Sequence, residues 1–196
     1  MSLTLWHAWT CPYCMRVRIA LEEKGVPHAD REVDLANKPA ELLALNPAGG
    51  VPVLVEGGHT VVGSLAILEV LDRAHPEPRL VPAAPQDAAR ARELYERIDG
   101  MLAPHLPKLA RGTPEEKAAA TVRVRAALES LEGAAPEAGF LLGDLSIADL
   151  ALAPFVAKLP PALRPSGLGL PRLARWEAAM LGRPAVARNT TPARPA

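Results

Sequence analysis

Over residues 3–75, short apolar and β-branched runs alternate with stretches of helical spacing, and the predicted order is β-α-β-α-β-β-α. Leu3 to His7 reads as a short strand. Met15 to Lys24 has helical spacing, with Cys14, Val17 and Leu21 along one inward face, and Gly25 with Pro27 closes its C-terminal end. Pro12 fits the first helical position, where its missing amide proton would be unpaired anyway. Glu32 to Leu35 is expected as a second strand and Ala40 to Leu45 as a short helix bounded by Pro39 and Pro47. Val53 to Val55 and Thr60 to Val62 are β-branched runs joined through Gly57-Gly58, which predicts a hairpin. A last helix runs from Ser64, its expected N-cap, toward His75.

The texture then changes. Pro76, Pro78, Pro82 and Pro85 cannot sustain a regular element, so the chain divides into an α/β domain at 1–78, a proline-rich linker at 79–86 and an all-helical domain at 87–196. Residues 86 to 133 predict two helices with one break at Arg111-Gly112-Thr113-Pro114. Ser146 to Leu159 predicts another, with Ser146 as N-cap, Asp149 completing a capping box and Pro154 expected to kink it. A shorter helix follows from Pro171 to Leu181, and Thr190 to Ala196 is expected to fray.

Composition narrows the classes. Of 196 residues, 49% are hydrophobic and 22% charged, which predicts a packed globular chain. The 22 basic and 22 acidic residues balance, with 7 and 10 before residue 81 and 15 and 12 after it, and no basic cluster marks a nucleic-acid footprint. No apolar run approaches the roughly 20 residues of a membrane span, and the start lacks a basic n-region and a long apolar core, so a cytoplasmic protein is expected. Two cysteines three positions apart make a poor structural staple, because so short a loop constrains little of the unfolded chain. In a reducing compartment they point to chemistry.

That chemistry centres on Cys11-Pro12-Tyr13-Cys14. Cys11 sits where the first strand gives way to the first helix, and the free amides and positive dipole end of a helix N-terminus favour a thiolate there. Cys14 is one turn further on, within reach of a disulfide with Cys11, and is the candidate resolving thiol. The bare motif also fits two buried apolar residues or half of a metal site, but a metal would need a second ligand pair that the sequence lacks. The strand-then-helix context favours nucleophilic or redox chemistry. In Asn46-Pro47-Ala48-Gly49-Gly50-Val51-Pro52-Val53-Leu54, a cis bond before Pro52 would turn the Val51 backbone outward, where a peptide-like ligand can pair with it as an added strand; an ordinary Pro/Gly turn is the alternative. Ser64 begins a helix whose start can hold a carboxylate, or serves only as a cap.

Together these pieces resemble the glutathione transferase superfamily over nearly the whole chain, and within it the omega-like, cysteine-type branch. The resemblance is carried by Cys11-Pro12-Tyr13, Arg16 and Arg18, Lys24-Gly25, Asn37-Lys38-Pro39, Asn46-Pro47 and Val51-Pro52-Val53-Leu54. Gly143 to Asp149 resembles the capping motif of the superfamily's helical domain. The resemblance implies a thioredoxin-like first domain and glutathione as cosubstrate. Cys11 would form a mixed disulfide with glutathione and Tyr13 would line the thiol site. Lys38 would approach the glycyl carboxylate, Val51 before Pro52 would pair with the cysteinyl residue, and Ser64 would hold the γ-glutamyl carboxylate. It further implies a homodimer and a small electrophilic or disulfide second substrate.

Two positions depart from the pattern: Gly63 stands where the family places Glu or Gln, and Cys14 gives the glutaredoxin-like Cys-Pro-Tyr-Cys. The activity implied is glutathione-dependent thiol transfer or reduction. Glutathione conjugation of electrophiles and a non-catalytic binding role on the same fold are the alternatives.

Overall fold

The computed structural model describes residues 3–192 and divides after Leu80 into two compact units. The first also takes the segment from Ala187 onward, and the second is Val81–Val186. The first unit holds β1 (Thr4–His7), α1 (Pro12–Glu23), β2 (Ala29–Glu32), α2 (Ala40–Leu45), β3 (Val53–Glu56), β4 (His59–Val62) and α3 (Ser64–Ala74). This is the predicted order. The four strands form one mixed sheet in the order β2-β1-β3-β4. β1 and β2 are parallel, whereas β1–β3 and β3–β4 are antiparallel.

Alternation along the strands separates two faces. Leu5 and Leu54 are register partners and both are buried. On the other face Val53 packs with Val33 and with Leu42 of α2, flanked by Trp6, Leu45, Val51 and Val55. Removing such aliphatic side chains from water contributes about 1.5–3 kcal/mol each. α1 turns Cys14, Val17 and Leu21 inward as its spacing predicts, and α3 packs against α1 and the β3–β4 hairpin.

Register does the positioning. Trp6 pairs with Val53 and Val53 with Val62, so the end of β1, the start of β3 and the end of β4 lie at one edge of the sheet. Because β2 is parallel to β1, with His7 opposite Glu32, the segment after β2 leaves from that edge too. The loop into Cys11, the stretch leading to Lys38, the Val51-Pro52 turn and Gly63-Ser64 therefore start from a common end of the sheet.

The second unit is helical: α4 (Pro85–Leu102), α5 (Leu106–Arg111), α6 (Pro114–Ala134), α7 (Ile147–Lys158), a 3-10 turn at Pro161–Leu163, α8 (Pro165–Leu168), α9 (Pro171–Leu181) and α10 (Pro184–Asn189), the last ending in the segment that groups with the first unit. The α/β-then-helical fold class is as expected. No helix among the described residues is long and apolar enough to cross a membrane.

Several boundaries differ from the sequence reading. β2 runs from Ala29 to Glu32 rather than over 32–35, because it is an exposed strand whose side chains carry no apolar signal. Gly63, with φ 92°, is the N-cap of α3, which makes Ser64 the first helical residue instead of the cap. Residues 86–133 hold three helices, because Pro104 adds a break between α4 and α5. Thr190 and Thr191 are not frayed: Trp9 Nε1 donates to the Thr191 carbonyl at 3.1 Å, and the Thr191 hydroxyl donates to the Arg188 carbonyl at 3.2 Å. Residues 193–196 of that expected tail lie outside the described residues.

Candidate active site

Cys11 is the N-cap of α1, with extended backbone angles of −75° and 120°, and Pro12 takes the first helical position. Its own N–H donates to the Ala8 carbonyl at 3.1 Å, and its carbonyl accepts from Met15 N at 3.0 Å. The half-buried sulfur faces the side chain and N–H of Cys14 and the N–H of Tyr13. These groups, led by the Cys14 thiol, lower the Cys11 pKa from 9.0 to about 6 against the opposing effect of burial, with a further pull from the Arg18 charge. At neutral pH Cys11 is a thiolate.

Cys14 is 0% exposed. Burial first, and then the adjacent Cys11 thiolate, push its pKa far above the ordinary thiol range. It therefore stays protonated and donates to Cys11. Both cysteines are free. Tyr13 is half-buried, with the Arg16 guanidinium 4.9 Å from the ring centroid.

A second group of predicted residues gathers around the turn before β3. Asn46 builds it: its Nδ2 donates to the Gly50 carbonyl at 2.9 Å, its carbonyl accepts from Gly49 N at 2.7 Å, and its Oδ1 accepts from Ala48 N at 3.3 Å. The Val51–Pro52 peptide is cis, as proposed from the sequence. The Pro52 carbonyl accepts from Gly63 N at 3.2 Å, which ties this turn to the start of α3. Ser64 is 7% exposed there.

Exposed Lys38 lies over Gly49: a Cβ on that glycine would come within 2.9 Å of the lysine Cδ and Nζ, and φ is +64°. Glycine at 49 thus leaves room for the lysine to reach across the turn. Gly63, by contrast, opens on empty space, with no atom within 4 Å of a Cβ placed there. Position 63 offers a ligand no side chain.

Arg18 has a role at this site that sequence reasoning missed. It is 3% exposed and contributes to the field at Cys11. Its signal was present: a cation four residues after Cys14 and seven after Cys11 falls on the helix face that carries both thiols.

Comparison with known proteins identifies both domains. Residues 5–79 match the model of the glutathione S-transferase N-terminal domain, and residues 114–179 match that of the glutathione S-transferase C-terminal domain. The Stringent starvation protein A homolog of Haemophilus influenzae is 37% identical over 151 residues, covering 75% of this chain and 70% of that protein. Rice GST1 (OsGSTU1), solved in complex with glutathione, is 33% identical with a TM-score of 0.85, covering 97% of this chain and 90% of that one. Glutathione transferase Omega 3C from Trametes versicolor is 29% identical with a TM-score of 0.79, over 96% and 89% of the two chains. With residues 5–79 and 114–179 matching the two domains in chain order, the chain belongs to the glutathione transferase superfamily.

Proposed function

We propose that the protein is a cysteine-type, omega-like glutathione transferase that carries out thiol transfer or reduction through Cys11. The observation that carries this reading is the Cys11 sulfur at the start of α1, held as a thiolate by the Cys14 thiol and two helix amides. The thiolate attacks the glutathione sulfur of a mixed disulfide, forms a Cys11–glutathione disulfide and expels the acceptor as a thiolate that takes up a proton. A second glutathione, as thiolate, then attacks the glutathione sulfur of that intermediate, releasing oxidised glutathione and restoring the Cys11 thiolate.

Cys14, buried and protonated, serves first as the donor that stabilises Cys11, and glutathione in solution performs the resolving step. In the same reading, Tyr13 lines the thiol site and Lys38 meets the glycyl carboxylate. The main chain of Val51, turned by cis-Pro52, pairs with the cysteinyl residue, and Ser64 at the start of α3 holds the γ-glutamyl carboxylate. Residues 79–86 act as the interdomain linker. Homodimer assembly and a cytoplasmic setting, where two free thiols persist, complete the proposal.

A second reading, glutathione conjugation to electrophiles, is favoured by the likeness to the rice transferase solved with glutathione. One set of assays separates the two: reduction of a glutathione mixed disulfide and conjugation of a chloro-nitroaromatic, each with wild type, Cys11→Ser and Cys14→Ser. Thiol transfer predicts loss of disulfide reduction by about a thousandfold in Cys11→Ser and substantial retention in Cys14→Ser. Undiminished reduction by the Cys11 variant ends the proposal.

A further inference from the structure

Arg18 commits its guanidinium donors to the loop that delivers Cys11 and to one residue near the end of the chain. Nη2 donates to the Trp9 carbonyl at 2.9 Å, and Nη1 reaches the Ala8 carbonyl at 3.4 Å and His7 Nδ1 at 3.1 Å. Nε donates to Asn189 Oδ1 at 3.1 Å, and Nη2 also donates to the Asn189 carbonyl at 3.0 Å. The guanidinium lies 4.0 Å from the Trp9 ring centroid. Ala8 and Trp9 lie between β1 and Cys11, and the Ala8 carbonyl is the acceptor for Cys11's own N–H. Asn189 is anchored in turn, because its Nδ2 donates to Glu22 Oε2 at 2.7 Å and the same carboxylate pairs with Arg188.

This set of partners needs a planar fork of fixed donors. Lysine could supply the charge but not the five directed N–H groups. The charged and titratable groups facing Arg18 are Asp30 and Glu32 on β2, His7 on β1, Cys11 at the N-cap of α1 and Cys14 on α1. Of these, only the thiol pair belongs to the candidate active site.

We infer that Arg18, oriented by Asn189, is a positioning residue for Cys11: it fixes the Ala8 and Trp9 carbonyls that set the sulfur at the start of α1 and holds a buried cation on the same helix face. The inference rests on the reading of Cys11 as the reactive thiol. It also makes the segment around Asn189 part of the active-site machinery rather than a tail.

The test is the pH profile of Cys11 alkylation by iodoacetamide in the full chain, followed by mass spectrometry with fragment ions that separate Cys11 from Cys14. Wild type is expected to alkylate with a midpoint near 6. Asn189→Ala, which removes the side-chain acceptor that aligns the fork, raises the midpoint by about one pH unit and slows alkylation at pH 5 about tenfold. Arg18→Lys keeps the charge, loses the fork and shifts the midpoint in the same direction. A role in folding alone would lower the thermal midpoint of unfolding and leave this pH profile where it is.

An Asn189→Ala protein that folds and keeps the wild-type profile overturns the inference. So does an Arg18→Lys protein with that result. A wild-type midpoint at the ordinary thiol value of about 8.5 overturns the reading of Cys11 itself, a different failure.

Discussion

Two helix starts in this protein use the same physics for different ends. At α1 the N-terminal amides and an S–H face the Cys11 sulfur, which remains half exposed. At α7 the Asp149 carboxylate closes a capping box with Ser146 and is 0% exposed. Asp149 Oδ2 accepts from Ser146 N at 2.8 Å and from the Ser146 hydroxyl at 2.9 Å, while Oδ1 accepts from Leu141 N at 2.9 Å and from Trp176 Nε1 at 2.8 Å. Burial pushes the Asp149 carboxyl up against the pull of those four donors.

An anion favoured by a helix N-terminus stabilises the fold when it is sealed and fully bonded. It is available for reaction when one side stays open to an incoming sulfur. Exposure and the nature of the anion separate the two sites.

The largest effect is expected at Asp149. Asp149→Ala strands the donors of Leu141, Ser146 and Trp176 in the interior and is expected to cost about 4 kcal/mol of stability, with Asp149→Asn costing less. Urea unfolding measures the loss. In the Asp149→Asn protein, the Cys11 alkylation midpoint stays where it is in wild type, because the two starts work independently.

A smaller effect is expected at Cys14. Cys14→Ala removes the strongest of the groups favouring the Cys11 anion, so the Cys11 midpoint moves up from about 6. A rise of about one unit corresponds to about 1.4 kcal/mol, and thiolate absorbance near 240 nm across pH follows it. Cys14→Ser, which keeps a hydroxyl donor, shifts it less.

A third effect is a pH dependence of stability. The pKa of Cys11 is lower in the folded state than in the unfolded chain, so its contribution is fully present above pH 9.0 and is lost as pH falls through about 6. The difference in unfolding free energy between wild type and Cys11→Ser should therefore grow from pH 6 to pH 9. A flat difference would mean that the α1 start does not favour the anion.

How much was legible depends on how local the signal is. The order of the first seven elements, the bounds of α2 and α9, and the Ser146–Asp149 box follow from proline punctuation, apolar spacing and cap residues. β2 was displaced by three residues because its neighbours Val33 and Leu35 supply the apolar signal, whereas the strand itself is all exposed. It is held by backbone pairing to β1, to which side-chain pattern is blind. Val33 is buried just beyond the strand, and Leu35 is 45% exposed. At the site, the Cys11–Cys14 spacing and the helix start could be read directly. The reach of Lys38 over Gly49 and the hold of Arg18 on Asn189 could not.

Local sequence settles which residues can carry chemistry: a cysteine before Pro12 at a strand-to-helix switch, with a second cysteine one turn on, because helix geometry and capping act over a few neighbouring residues. Long-range folding settles which groups meet at the sheet edge and how Cys11 is held. The register Trp6–Val53–Val62 brings the Pro52 turn and the start of α3 to the end of β1, and Asn189 closes on Arg18 across 171 positions of chain. Contacts between distant segments arise from chain reversal and burial, and no local spacing records them.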